Sequence, residues 1–191
     1  MKRDIIVIGA SLGGFEALRQ VLEESSGRLD AALLVVLHTS PKSPRYLADM
    51  LSHCTRMKVS YGEHGRLIEC GNVYVAPPDH LMTVMQQGYL RLDQGPKVQF
   101  SRPAAVPLFC SAAELYGPRV IGVVLTGGGS DGTAGLRKIK ASGGVGVVQD
   151  PEEARAPEMP QNALIGASPD FKVPLSELAA LLVRLQRGAA L

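Results

Sequence analysis

The chain has 191 residues, enough for one domain with a full core, and its 46% apolar and 20% charged residues are those of an ordinary soluble globular protein. A net charge of +2, scattered basic residues and the absence of tryptophan argue against a nucleic-acid partner. Cys54, Cys70 and Cys110 match neither a zinc spacing nor a disulfide framework, and no apolar run approaches the roughly 20 residues that span a bilayer, so a cytoplasmic protein with reduced thiols, no metal and no membrane insertion is expected.

Ile5-Ile6-Val7-Ile8 is a continuous apolar run, the mark of a parallel strand covered on both faces. It leads into Gly9-Ala10-Ser11-Leu12-Gly13-Gly14 and then into Phe15, Leu18, Val21 and Leu22 at helical spacing. Ala32 to Leu37 is a second buried strand ending at His38, and Tyr46, Leu47, Met50 and Leu51 mark a helix after it. Val59 to Tyr61 reads as a third strand, and Asn72 to Ala76 as a short stretch broken by Pro77-Pro78. Residues 81–85 and 89–92 flank Gln86-Gln87-Gly88 as a β-hairpin. Pro103 to Tyr116 carries Val106, Phe109, Ala113 and Tyr116 in helical register, with proline at the start where a helix tolerates it.

The alternation then resumes. Val120 to Leu125 is strand, Thr126-Gly127-Gly128-Gly129-Ser130-Asp131-Gly132 is a loop, and a helix runs from about Thr133 to Ala141. Gly146 to Gln149 is a further strand, residues 150–162 read as a long loop with one turn of helix, and Leu175 to Leu185 as a closing amphipathic helix. The pattern predicts a doubly wound α/β fold over residues 1–191 as a single domain, its mostly parallel sheet interrupted by an inserted antiparallel β-hairpin. In such sheets the active site lies beyond the carboxyl ends of the strands.

Three such ends carry reactive residues. Gly9-Ala10-Ser11-Leu12-Gly13 fits the G-x-S-x-G pattern that lifts a serine hydroxyl clear of a sheet and leaves the next backbone N–H at a helix N-terminus. Ser11 as a plain helix cap is the competing reading. His38 follows the second strand directly, close enough to serve Ser11 as a base if the two strands are neighbours, or simply a structural histidine. Asp131 is either the N-cap of the helix after it or the carboxylate that orients the imidazole. A phosphate site fits less well, because the loop lacks G-x-G-x-x-G, His38 stands where a ribose-binding acid belongs, and no Gly-Lys pair follows.

The blocks VIGASLGGFEAL, VVLHTSPKSPRYLADML, VYVAPPDHLM, SRPAAVPLFCSAAELYG, VVLTGGGSDGTAGLRKIKASGG and VVQDPEEARAPEMPQNAL together resemble the catalytic domain of bacterial chemoreceptor protein-glutamate methylesterases, the CheB family. The resemblance implies a serine hydrolase that removes methyl groups from receptor glutamate esters, and in many members also deamidates receptor glutamines, with no cofactor. By motif it assigns Ser11 as nucleophile, His38 as base, Asp131 as third triad member, and the backbone of Leu12 and Gly128 as oxyanion donors. It also makes Arg102 and Met159 candidate substrate contacts, with a surface salt bridge and loop packing as the competing readings of the two. The family usually has Ser-Thr-Gly-Gly and Thr-Gly-Met-Gly where this chain has Ser11-Leu12-Gly13-Gly14 and Thr126-Gly127-Gly128-Gly129, and it usually carries a receiver domain ahead of the catalytic one. A non-catalytic module that docks a receptor or scaffold is the alternative from another class.

Overall fold

A computed structural model describes residues 2–188. In chain order the elements are β1 (Ile5–Ala10), α1 (Gly14–Ser25), β2 (Ala32–Leu37), α2 (Leu47–Ser52), β3 (Lys58–Tyr61), β4 (Asn72–Val75), β5 (Leu81–Val84) and β6 (Leu90–Asp93). They continue with α3 (Ala105–Tyr116), β7 (Val120–Val124), α4 (Thr133–Ala141), β8 (Val145–Gln149), α5 (Glu158–Ala167), β9 (Phe171–Val173) and α6 (Leu175–Gln186).

Seven strands form one parallel sheet in the order β3-β4-β2-β1-β7-β8-β9. Every residue of β1, β2 and β7 is buried, which is why their sequences read as unbroken apolar runs rather than alternating ones. Successive side chains point to opposite faces. Ile6, Ile8, Leu33, Val35, Ile121 and Val123 join Leu18 and Leu22 of α1, Leu51 of α2 and Leu182 of α6 in one core. Val7, Leu34, Val36 and Val124 join Phe109 of α3, Leu136 of α4 and Ala163 of α5 in the other.

The chain winds outward from β1 in both directions. The connection after β1 enters α1 on one face, and the connection after β7 enters α4 on the opposite face. Neighbouring strands whose exits part in this way leave a crevice beyond their carboxyl ends.

The predicted hairpin is present as β5 and β6, in register from Leu81↔Asp93 to Val84↔Leu90. It forms a separate two-stranded sheet whose Met82, Val84 and Leu90 pack with Leu108 and Ala112 of α3. Two elements differ from expectation. The segment read as loop to residue 162 contains α5, which begins at Glu158 after Pro157 and carries Pro160 in its first turn, where a missing N–H costs nothing. The edge strand β9 has only three residues, too few to show a period.

Candidate active site

Ser11 is the first residue beyond β1. Its N–H donates to the Thr126 carbonyl at 2.9 Å, and its own carbonyl accepts from the Gly14 N–H at 2.8 Å, closing the turn into α1. The helix cap is Gly13, at φ +80°, where a Cβ would lie 2.8 Å from Cβ of Arg155. Both the left-handed backbone and the close approach require glycine there. Ser11 is therefore not a cap: among the described residues its hydroxyl makes no hydrogen bond. The Leu12 N–H likewise finds no acceptor among them, and the Leu12 side chain is 59% exposed.

His38 follows β2. Its N–H donates to the Ala10 carbonyl at 3.0 Å, extending the β1–β2 ladder one step past Ala10↔Leu37 and setting His38 beside Ser11 at the sheet's rim. The imidazole is 15% exposed and its Nε2 lies 2.7 Å from Oδ2 of Asp131. Its Nδ1 lies 3.5 Å from Oγ of Ser101, at the outer limit of a hydrogen bond.

The Asp131 carboxylate is 3% exposed and would be costly to bury without partners. It has four. Oδ2 accepts from His38 Nε2 and from the Ala105 N–H at 2.6 Å. Oδ1 accepts from the Val106 N–H at 3.0 Å and the Gly132 N–H at 2.9 Å. The first-turn amides of α3 are among those a helix leaves unpaired. Asp131 thus caps α3, not the α4 that follows it, whose cap is Gly132.

The 126–132 loop is held on several sides. The Thr126 N–H donates to Oε1 of Gln149 at 2.9 Å, and Thr126 Oγ1 donates to the Leu12 carbonyl at 2.9 Å. The Gly127 N–H donates to the Ala156 carbonyl at 2.9 Å, and the Gly129 N–H to Oε2 of Glu158 at 2.8 Å. Gly128 alone of these three glycines has an N–H without an acceptor among the described residues. A Cβ on Gly127 would collide with Sδ of Met159 and lie 2.7 Å from Cβ of Ser11, whereas one on Gly128 would meet only Oε2 of Glu158, at 3.6 Å. A cavity of about 360 Å3 opens here, lined by His38, Phe100, Ser101, Gly128 and Asp131 among others.

Of the two further residues named from the resemblance, Arg102 is held in an ion pair and Met159 lies under the loop beside Ser11. Arg102 donates from Nε and an NH2 group to Oδ1 of Asp79 at 2.9 and 2.6 Å, and to the Gln94 and Gly95 carbonyls at 2.8 and 2.7 Å. Its guanidinium holds the Asp79 carboxyl below the usual carboxylate range and pins the 94–102 loop. Met159 is fully buried beneath Gly127 and donates its N–H to the Gly127 carbonyl at 2.8 Å.

Burial pushes the thiols of Cys54, Cys70 and Cys110 up, which disfavours the thiolate needed for nucleophilic attack. Among the described residues no group of His, Cys, Asp and Glu is arranged to hold a metal ion, and no helix is long and apolar enough to cross a membrane. Sequence reasoning missed Gln149, Glu158 and the 98–101 turn. Gln149 carried a readable signal, a polar residue ending a buried strand as His38 does. Glu158 carried none, because its helix was hidden among prolines.

Comparison with known proteins agrees with this architecture. The family model described as CheB methylesterase matches residues 6–182. A protein of Leptospira interrogans is 36% identical, over 98% of this chain and 97% of its own length. The protein-glutamate methylesterase FrzG of Myxococcus xanthus is 37% identical over 94% of this chain and 54% of its own. The protein-glutamate methylesterase/protein-glutamine glutaminase of Pyrococcus abyssi is 35% identical over 95% of this chain and half of its own. The crystal structure of the Thermotoga maritima CheB methylesterase catalytic domain superposes with a TM-score of 0.90 at 31% identity, covering 97% of this chain and all of that one. The chain belongs to the CheB methylesterase family.

Proposed function

We propose that this protein-glutamate methylesterase works as a serine hydrolase on methylated chemoreceptors in the cytoplasm, with Ser11, His38 and Asp131 as its catalytic residues. The observation that carries the reading is the 2.7 Å pair between His38 Nε2 and the buried Asp131, set at the rim directly beside the Ser11 turn. Because Asp131 takes Nε2, the tautomer it favours leaves Nδ1 with its lone pair as the base nitrogen. The hydrogen bond from nucleophile to base commonly tightens only when substrate arrives.

Ser11 Oγ attacks the side-chain carbonyl of a glutamate methyl ester while its proton passes to Nδ1 of His38. Asp131 holds the ring and stabilises the imidazolium. The Leu12 and Gly128 N–H groups, both without an acceptor among the described residues, donate to the tetrahedral oxyanion. Gly127, whose N–H is already committed, takes no part in that contact. The imidazolium gives its proton to departing methanol, leaving a glutamyl ester on Ser11. Water, deprotonated by Nδ1, then attacks this ester and releases glutamate and free Ser11. The same steps applied to a glutamine carboxamide release ammonia, in keeping with the double name of the Pyrococcus abyssi relative.

Methanol release from a methylated receptor fragment tests the assignment. Wild-type protein should release methanol, and Ser11→Ala should lower the rate at least about a thousandfold. Undiminished turnover by that variant refutes it.

A further inference from the structure

Residues 98–101 form a two-residue turn at the mouth of the catalytic cavity. The Val98 N–H donates to the Ser101 carbonyl at 3.0 Å and the Ser101 N–H to the Val98 carbonyl at 2.9 Å. Both residues between them lie in the left-handed region, Gln99 at φ +46° and Phe100 at φ +64°. A turn with positive φ at both central positions is the type that asparagine and glycine fill at least cost, and a bulky aromatic is among the poorest choices.

The three side chains of the turn divide. Oε1 of Gln99 accepts from Oγ of Ser130, next to Asp131, at 3.3 Å, and Ser101 faces Nδ1 of His38. Phe100 has no such partner among the described residues; it lines the same cavity and is 96% exposed. An aromatic ring held in a disfavoured backbone conformation, almost wholly in water and on the rim of the cavity, gains nothing for the fold. Strain of this kind concentrates at ligand clamps.

We infer that Phe100 is a substrate-docking residue that packs against an apolar side chain flanking the target glutamate on the same protein segment. The inference rests on the methylesterase reading. A glutamyl side chain is short, so delivering its ester to Ser11 brings the backbone that bears it down onto the rim. Two exposed apolar groups belong to the segments that build the site, Phe100 on the cavity lining and Leu12 next to the nucleophile in sequence. A segment bearing the ester meets these groups first, and exposed aromatic anchors are what such contacts favour. The occupant is thus a methylated segment with an apolar neighbour, in preference to one flanked by charge alone.

Steady-state kinetics on a methylated receptor fragment test this, with p-nitrophenyl acetate as the small ester that reports whether Ser11 functions. Phe100→Ser should raise KM for the fragment about tenfold with kcat within about twofold, and Phe100→Leu should recover most of the loss. The double variant Gln99→Asn/Phe100→Gly installs the residues the turn prefers. It should melt higher than wild type yet show the same rise in KM, which separates docking from folding. Wild-type KM in both Phe100→Ser and the double variant, with wild-type protein cleaving both esters, overturns the docking role alone. So does a fall in kcat at unchanged KM. Failure of wild-type protein to cleave either ester instead overturns the catalytic reading on which the inference rests.

Discussion

Replacing Asp131 by Asn separates its two jobs and puts a magnitude on each. The carboxylate faces only donors: His38 Nε2 and the Ala105 N–H at one oxygen, the Val106 and Gly132 N–H groups at the other. A carboxamide presents one acceptor and one donor, so either orientation sets its NH2 group against two donors in a site with almost no solvent. Each buried donor left unsatisfied costs about 1–3 kcal/mol, and partial relaxation brings the total to roughly 3 kcal/mol. For a chain of this size that corresponds to a fall in Tm of about 6–12 °C. On the proposed mechanism, activity should fall further than stability accounts for, by about 10⁴-fold, because a ring turned to pair with the amide no longer offers its base nitrogen to Ser11. Urea unfolding at 25 °C and methanol release, measured on the same preparation, give both numbers. Ser11→Ala is the control, with unchanged stability expected, since its hydroxyl has no hydrogen bond among the described residues to lose. Wild-type stability in Asp131→Asn would refute the claim that this carboxylate holds the start of α3.

The neighbouring glycines should respond in opposite ways. Gly127→Ala drives a methyl group into Met159 and Ser11 and should cost about 1–3 kcal/mol with a collapse of activity, seen by thermal melting and ester hydrolysis. Gly128→Ala keeps its N–H, meets only Glu158, and should stabilise by about 0.4–1 kcal/mol; a net destabilisation would show that the loop needs glycine there. Arg102→Met should free the 94–102 loop, visible as new protease cleavage within it while β1 and β2 stay protected. Because Arg102 lowers the Asp79 pKa, their contribution is present above the unfolded carboxylate pKa of about 3.9 and lost as pH falls below it. The stability difference between wild type and Arg102→Met should therefore narrow on acidification.

The parts of the molecule that could be read directly are those where one local signal decides the outcome. β1, β2 and β7 are buried on both faces, so their apolar runs are unambiguous, and α4 begins at Thr133 and ends at Ala141 as its sequence predicts. Ser11 and His38 were legible as candidates for the same reason, each a polar group directly after a buried strand, and Asp131 because it closes the glycine-rich loop between β7 and α4. What escaped depends on distance in sequence. Nothing near Asp131 reveals that its oxygens are met by the amides of Ala105 and Val106, 26 and 25 residues earlier. From sequence Arg102 reads equally as a cation for acidic receptor segments or as a surface ion pair, and only the fold brings Asp79 against it. The prolines of α5 mark the beginning of a helix and also resemble a loop, and only packing against α4 and β8 decides between them.

The backbone bonds just past the strands also govern how this molecule stops working. Ser11 and His38 hang from the Thr126 and Ala10 carbonyls, at the margin of the most deeply buried ladder in the fold. No loop opening short of parting the central strands can draw them apart, so on heating, inactivation and global melting should coincide. The amide protons of these two residues should exchange with solvent as slowly as those of the innermost sheet.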